Sequence, residues 1–158
     1  MVKASPACPC ESGMAYDGCC QPAHSLACPA PSPVSLMRSR YSAFVLGKVD
    51  YLFHTLHPSH DDYPRGPEAL ATSVQRHARS IRYLGLRILD DSPPDEEGVA
   101  QVLFLAKLRQ RGRPASFVEL SSFAKEKGEW RYMMGTPLPS RGLDLEALSI
   151  SAFQQILD

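Results

Sequence analysis

Hydrophobic residues recur at helical spacing in the first half of this chain. The run VSLMRSRYSAFVLG puts Met37, Tyr41 and Phe44 on one face of a helix. Ser32 is suited to cap the N-terminus of that helix, and Gly47 is suited to end it. The pattern predicts three helices, at residues 32–47, 49–56 and 67–79.

The pattern changes to alternation in the second half. Leu84, Leu86 and Ile88 alternate with polar or small residues, which is typical of a strand. Turn-forming segments then separate further apolar runs, and prolines after residue 136 are expected to break the sheet. The predicted strands cover residues 81–89, 99–109, 116–125 and 130–136, and a closing helix covers 143–157. We therefore expect an α+β domain, with a curved four-stranded antiparallel sheet wrapped around the first helix and a cavity between them.

The first 31 residues have a different composition from the rest. They contain all five cysteines of the chain and several prolines, but only three charged residues, Lys3, Glu11 and Asp17. Such a segment has too few apolar side chains to build a hydrophobic core, so a bound metal must organise it. We predict a small metal-binding knuckle with its linker at residues 1–31, and a globular domain at residues 32–158.

Composition narrows the classes of function. Hydrophobic residues make up 44% of the 158 residues, and 17 Lys and Arg balance 17 Asp and Glu. The balanced charge argues against nucleic acid as a partner, and no apolar run is long enough for a membrane span. The first ten residues lack the apolar core of a secretory signal. These features predict a cytoplasmic protein, in which clustered cysteines bind metal rather than form disulfides.

The cysteines carry the sharpest chemical signal in the chain. Cys8 and Cys10 form a C-x-C pair, and Cys19 and Cys20 follow after eight residues. Four thiolates at one point suit a tetrahedral zinc ion, so we predict these four residues as zinc ligands. His24 is an alternative ligand, because adjacent cysteines on a tight turn do not always both reach a metal. Four thiolates leave no open coordination position, so the predicted site is structural or part of an interaction surface.

Two parts of the sequence resemble known families, the cysteine segment and the chain that follows it. C-P-C-E-S-G-x-x-Y-x-x-C-C resembles the SEC-C motif, a zinc-binding module best known from the C-terminal tail of the SecA translocation ATPase. The segments LMRSRYSAFV, FVELSSF, KGEW and MGT are similar to the YchJ family of uncharacterised bacterial proteins, over about residues 5–137. This resemblance implies a nuclear transport factor 2-like (cystatin-like) cone behind an N-terminal SEC-C motif. Family members often carry a second SEC-C motif, whereas residues 137–158 contain no cysteine.

Four further residues are candidates for a site in the cone cavity: Arg38, Arg40, Tyr41 and Glu119. The two arginines are two positions apart, so at most one of them faces the cavity; they act as an anion clamp or form ion pairs. Glu119 shares a strand face with Phe117 and Phe123, and acts as a general base or forms a salt bridge with an arginine.

Two classes of function remain from these observations. The first is an interaction or scaffold protein whose SEC-C motif docks a protein partner. By analogy with SecA, that partner belongs to the secretion, chaperone or ribosome-associated machinery. The alternative is an enzyme or ligand binder that uses the cone cavity for a small molecule. Cone folds often associate through the open face of the sheet, which makes a homodimer a further hypothesis.

Overall fold

A computed structural model describes residues 3–158, so the first two residues of the predicted knuckle lie outside the described part. That part contains five α-helices and a five-stranded antiparallel sheet. The helices are α1 (Gln21–His24), α2 (Pro33–Leu46), α3 (Val49–His54), α4 (Gly66–Ser80) and α5 (Ile150–Leu157). The strands are β1 (Ile81–Ser92), β2 (Ala100–Gln110), β3 (Arg113–Pro114), β4 (Phe117–Glu126) and β5 (Glu129–Pro139).

Helix α2 has the predicted ends. The Ser32 side chain accepts a hydrogen bond from the Ser35 backbone N–H at 3.1 Å, and Gly47 adopts a left-handed conformation with φ of 72°. The prediction for α3 was too long by two residues. The backbone of Thr55 accepts a hydrogen bond from Tyr132 at 2.8 Å, and His57 donates to Tyr132 at 2.9 Å, so the chain leaves the helix to pair with β5.

The sheet has the order β1-β2-β4-β5, with β3 paired to β2. The predicted four-stranded meander is therefore present, and the correction is the fifth strand. It consists of two residues, because the turn after β2 folds back far enough for Arg113 to pair with Gln110 and Pro114 with Arg109. A bulge between Tyr83 and Gly85 of β1 leaves Leu84 exposed, so the predicted alternation fails there and Leu84 does not share the buried face of Leu86.

Two predicted boundaries near the C-terminus were wrong. Strand β5 continues through Pro137 and Pro139, which pair with Glu119 and Phe117 of β4. An edge strand tolerates proline, because half of its backbone N–H groups have no neighbouring strand to bond. Helix α5 begins at Ile150 rather than at residue 143. The Ser149 side chain caps this start by accepting a hydrogen bond from the Ala152 N–H at 3.1 Å.

The sheet has an apolar core on each face. On one face, α2 packs against Val102, Phe104, Ala106 and Leu108 of β2. On the other, Phe153 of α5 packs against a second cluster of buried side chains. That second cluster contains Leu103, Leu105, Val118, Leu120, Leu148 and Ile150. Helix α5 thus covers part of the sheet face opposite α2. Within residues 3–158, every helix is too short or too polar to cross a membrane.

Candidate functional site

The N-terminal segment folds into a small hairpin that returns the chain on itself. Ala7 and Ala15 form an antiparallel bridge, and the Cys8 N–H donates to the Met14 carbonyl at 2.9 Å. Gly13 has a φ of 86°, which favours glycine and allows the sharp reversal. A 3-10 turn then leads into α1, and this turn brings the second cysteine pair back to the first.

The four predicted cysteines meet at one point. Their Sγ atoms all lie within 4.8 Å of one another, and all four thiols are free. The Sγ atoms of Cys10 and Cys19 are 3.5 Å apart, and those of Cys19 and Cys20 are 3.8 Å apart. Tetrahedral metal–thiolate sites with bonds of about 2.3 Å place their sulfurs about 3.8 Å apart. The cluster can therefore hold a metal ion without rearrangement of the backbone.

Hydroxyl groups surround the sulfur cluster. Ser12 Oγ lies 3.1 Å from Cys19 Sγ, and the buried Ser42 of α2 places its Oγ 3.4 Å from Cys20 Sγ and 3.5 Å from Cys8 Sγ. Such groups outside the ligand set orient metal ligands and tune their basicity. Sequence reasoning missed Ser42, since a serine in a helix gives no signal of its own until the knuckle is seen to pack on it.

The sulfurs share protons unequally. A hydrogen bond between the Cys10 and Cys20 side chains lowers the pKa of Cys10 to about 4. The same hydrogen bond raises the pKa of Cys20. Cys10 is therefore favoured over Cys20 as the thiolate, in a pocket where only Cys19 is partly exposed. Thiolates are the form in which cysteine binds metal, so this arrangement is chemically prepared for a cation.

His24 and Cys28 lie outside the cluster. The Nε2 of His24 is 2.7 Å from the Ser39 carbonyl, which can only accept, so Nε2 carries the proton. The other nitrogen, Nδ1, then accepts from the Tyr16 hydroxyl at 2.6 Å. Both ring nitrogens are occupied, and burial lowers the pKa of this imidazole, which keeps it neutral. Cys28 is exposed and free.

The two arginines of α2 go to different places. Arg38 donates from Nη1 to the Cys10 carbonyl at 2.8 Å, which ties the helix to the knuckle. Arg40 is only 4% exposed and donates from Nη1 to the Leu52 carbonyl at 2.9 Å and to Thr55 Oγ1 at 2.6 Å. Neither arginine forms an ion pair with a described residue.

A cavity of about 240 Å³ lies between α2 and the sheet, as the predicted architecture requires. Arg40, Tyr41 and Glu119 line it, whereas Arg38 does not. Most of the remaining lining is apolar or aromatic. The other lining residues are Met37, Phe44, Ile81, Tyr83, Phe104, Ala106, Leu108, Phe117 and Tyr132.

Glu119 is held by hydroxyl groups, and the predicted salt bridge to an arginine is absent among the described residues. Its Oε2 accepts from Ser121 Oγ at 2.5 Å and from the Tyr132 hydroxyl at 3.0 Å. Burial raises the pKa of this carboxyl against the opposing effect of those donors. Gly135 permits the arrangement, because a Cβ there would collide with the Glu119 carboxylate and the Tyr132 hydroxyl. Tyr132 was missed at the sequence level, since its alternation on β5 gave no hint of a polar partner.

The chain was compared with known protein families and with curated relatives. Residues 32–135 match the family model described as YchJ, middle NTF2-like domain. A UPF0225 protein of Bordetella parapertussis is 43% identical over 131 residues, which cover 82% of this chain and 91% of that relative.

Solved structures show the same fold. A SEC-C motif containing protein from Rhodopseudomonas palustris is 32% identical with a TM-score of 0.69, covering 82% of this chain and 96% of that one. Another, from Psychrobacter arcticus, is 27% identical with a TM-score of 0.69, covering 85% and 84%. A domain of unknown function with a cystatin-like fold from Nostoc punctiforme, 14% identical with a TM-score of 0.53, covers 78% and 89% and supports the fold alone.

Proposed function

We propose that this chain, which belongs to the YchJ family, is a cytoplasmic zinc-binding interaction protein whose SEC-C knuckle docks a protein partner. The observation that carries the proposal is the closed cluster of Cys8, Cys10, Cys19 and Cys20 sulfurs within 4.8 Å of one another. A cluster of this kind organises a surface, because it leaves no coordination position for a substrate.

Zinc is the metal that this donor set fits best. Four cysteine sulfurs near tetrahedral spacing favour zinc over calcium, magnesium or manganese, which prefer oxygen ligands. The cytosol keeps such thiols reduced and available. Cys20 rather than His24 completes the proposed ligand set, because both nitrogens of His24 are hydrogen bonded to Tyr16 and Ser39.

The outer surface of the knuckle supports a docking role. Met14 is 53% exposed at the tip of the hairpin, and Pro6, Ala7 and Ala15 are exposed beside it. This apolar surface exists only when the hairpin is folded, and the hairpin has no core besides the cysteine cluster. Zinc would thus create the surface that the partner contacts. The analogy with SecA points to a protein of the secretion, chaperone or ribosome-associated machinery.

Native mass spectrometry tests the metal. Protein purified without added metal should carry one zinc ion per chain, and Cys19→Ser should lose it. Cys28→Ser is the matched control, because it removes an exposed cysteine outside the cluster and should keep the ion. Zinc retained by Cys19→Ser would contradict the ligand assignment.

Quantitative crosslinking in cells tests the docking role. Met14→Asp and Cys19→Ser should lose the same crosslinked protein. Met134→Asp, which alters a methionine 57% exposed on β5, should retain it. If both knuckle variants keep the wild-type crosslinks while Cys19→Ser lacks zinc, then the knuckle is a structural staple and the docking proposal is wrong.

A further inference from the structure

Two charged groups, the buried Arg40 and the half-buried Glu119, lie on the wall of the cone cavity without pairing directly. Arg40 and Glu119 both contact Tyr132: the guanidinium lies 4.7 Å from the ring centroid, and the carboxylate accepts from the hydroxyl. No salt bridge joins the two charges in the described part of the chain. Buried charges are normally paired or fully hydrogen bonded, so this arrangement calls for a bridging group.

Each charged group keeps unused hydrogen-bonding capacity. Both hydrogen bonds to Glu119 end on Oε2, and both bonds from Arg40 start at Nη1. Across residues 3–158, the one enclosed side-chain polar atom without a partner is Nε of Arg131. The unbonded atoms of Glu119 and Arg40 are therefore not sealed in protein, and both residues line the cavity.

The charge state of the pair sets the charge of a suitable ligand. Burial lowers the pKa of Arg40 only to about 10, so the guanidinium remains protonated near neutral pH. With Glu119 ionised, the pair is neutral overall. A charged ligand would leave one of the three charges uncompensated in a site of low dielectric, whereas a neutral polar ligand would not.

The size and lining of the cavity define the rest of the ligand. Six aromatic residues line it. An apolar protein cavity of about 150 Å³ holds benzene, so a volume of about 240 Å³ accommodates one ring with a short substituent. An open groove along Pro137–Pro139 shares Phe117 and Glu119 with the cavity and offers a route of entry.

We propose that the cone cavity binds a small neutral molecule that combines one aromatic ring with a carboxamide-like group. The N–H of that group donates to Oε1 of Glu119, and its carbonyl accepts from the free guanidinium nitrogens of Arg40. The ring packs against the aromatic lining. This site is separate from the metal cluster and does not depend on the docking role of the knuckle.

A matched probe series measured by NMR titration of the zinc-loaded protein tests the assignment. Benzamide supplies both a donor and an acceptor, acetophenone only an acceptor, toluene neither, and benzoate a negative charge. Benzamide should bind about tenfold more tightly than toluene, since hydrogen bonds to charged groups are the strong ones. Acetophenone should be intermediate and benzoate the weakest.

Variants separate the polar head from the cavity itself. Glu119→Met should bring benzamide to the affinity of toluene, and Glu119→Gln should give an intermediate loss. Ala106→Leu fills the cavity without altering Arg40 or Glu119, so it should weaken the binding of both benzamide and toluene. Lys107 is exposed, so Lys107→Gln should change the binding of neither. Equal affinity for benzamide and toluene, binding unaffected by Ala106→Leu, or no binding by any probe would overturn the proposal.

Discussion

The Ser42 hydroxyl links the metal cluster to the cone domain, and a single substitution that removes it tests this link. Its side chain is fully buried in α2, and its hydroxyl lies 3.4 Å from Cys20 Sγ and 3.5 Å from Cys8 Sγ. Ser42→Ala removes this hydroxyl and leaves every cysteine in place. Loss of one group that supports metal ligands typically costs 10- to 100-fold in metal affinity, or about 1.4 to 2.8 kcal/mol.

The same substitution should leave the metal-free fold unharmed. Alanine is a better helix former than serine, by up to about 0.7 kcal/mol, and the S–H of Cys8, which loses the Ser42 oxygen, is only a weak donor. We therefore expect Ser42→Ala to weaken zinc binding while the unfolding midpoint of the metal-free protein stays equal or rises. These opposite signs distinguish an effect on the metal from general damage to the structure.

Competition with a chromophoric chelator measures the zinc affinity, and urea unfolding of the metal-free protein measures the stability. Ser73→Ala is the matched control, because it replaces a serine in α4, a different helix. It should change the zinc affinity by less than about twofold. If Ser42→Ala also leaves the zinc affinity within about twofold of wild type, the hydroxyl does not support the thiolates, and the reasoning fails.

Three other substitutions test the cone domain. Phe153→Ala removes a fully buried anchor of α5 and should lower the free energy of unfolding by about 3–5 kcal/mol in urea titrations; a loss below about 1 kcal/mol would contradict the observed packing. Because the folded pKa of Glu119 is raised, wild-type stability should fall as pH rises from about 4.5 through that pKa, by up to about 1.4 kcal/mol per pH unit. Urea titrations of Glu119→Gln between pH 4.5 and 8 should lack this fall, and an unchanged slope would refute it. Gly135→Ala should push a methyl group into Glu119 and Tyr132 and cost about 1–3 kcal/mol of stability; an unfolding midpoint equal to wild type would show that the carboxylate moves aside freely.

Features set by local interactions could be predicted from the sequence. The Ser32 cap and the Gly47 end of α2 each depend on backbone geometry within a few residues. Likewise, the cysteine spacing predicted the sulfur cluster, because a short hairpin is the way in which eight intervening residues join two pairs. The cone fold followed from the change of hydrophobic period, and the resemblance to a family made it specific.

Features set by distant partners could not be predicted in this way. Pro137 and Pro139 indicated a break, and only the edge position of β5 makes them compatible with a strand. The start of α5 depends on Asp90, whose carboxylate accepts from the Ile150 N–H at 2.9 Å across 60 positions of sequence. Ser39 and Ser42 look like the solvent face of α2, yet both are buried, because Tyr51 of α3 contacts the Ser39 hydroxyl and the knuckle packs over Ser42.

Helix α2 serves both proposed sites, and the directions of its side chains explain why they can be tested separately. Arg38 and Ser42 contact the knuckle, whereas Arg40 turns away from it and bonds the Leu52 carbonyl and the Thr55 side chain. The position of Arg40 is therefore fixed by α3 rather than by the metal. Loss of zinc removes partners from one side of the helix and leaves the polar wall of the cavity anchored on the other.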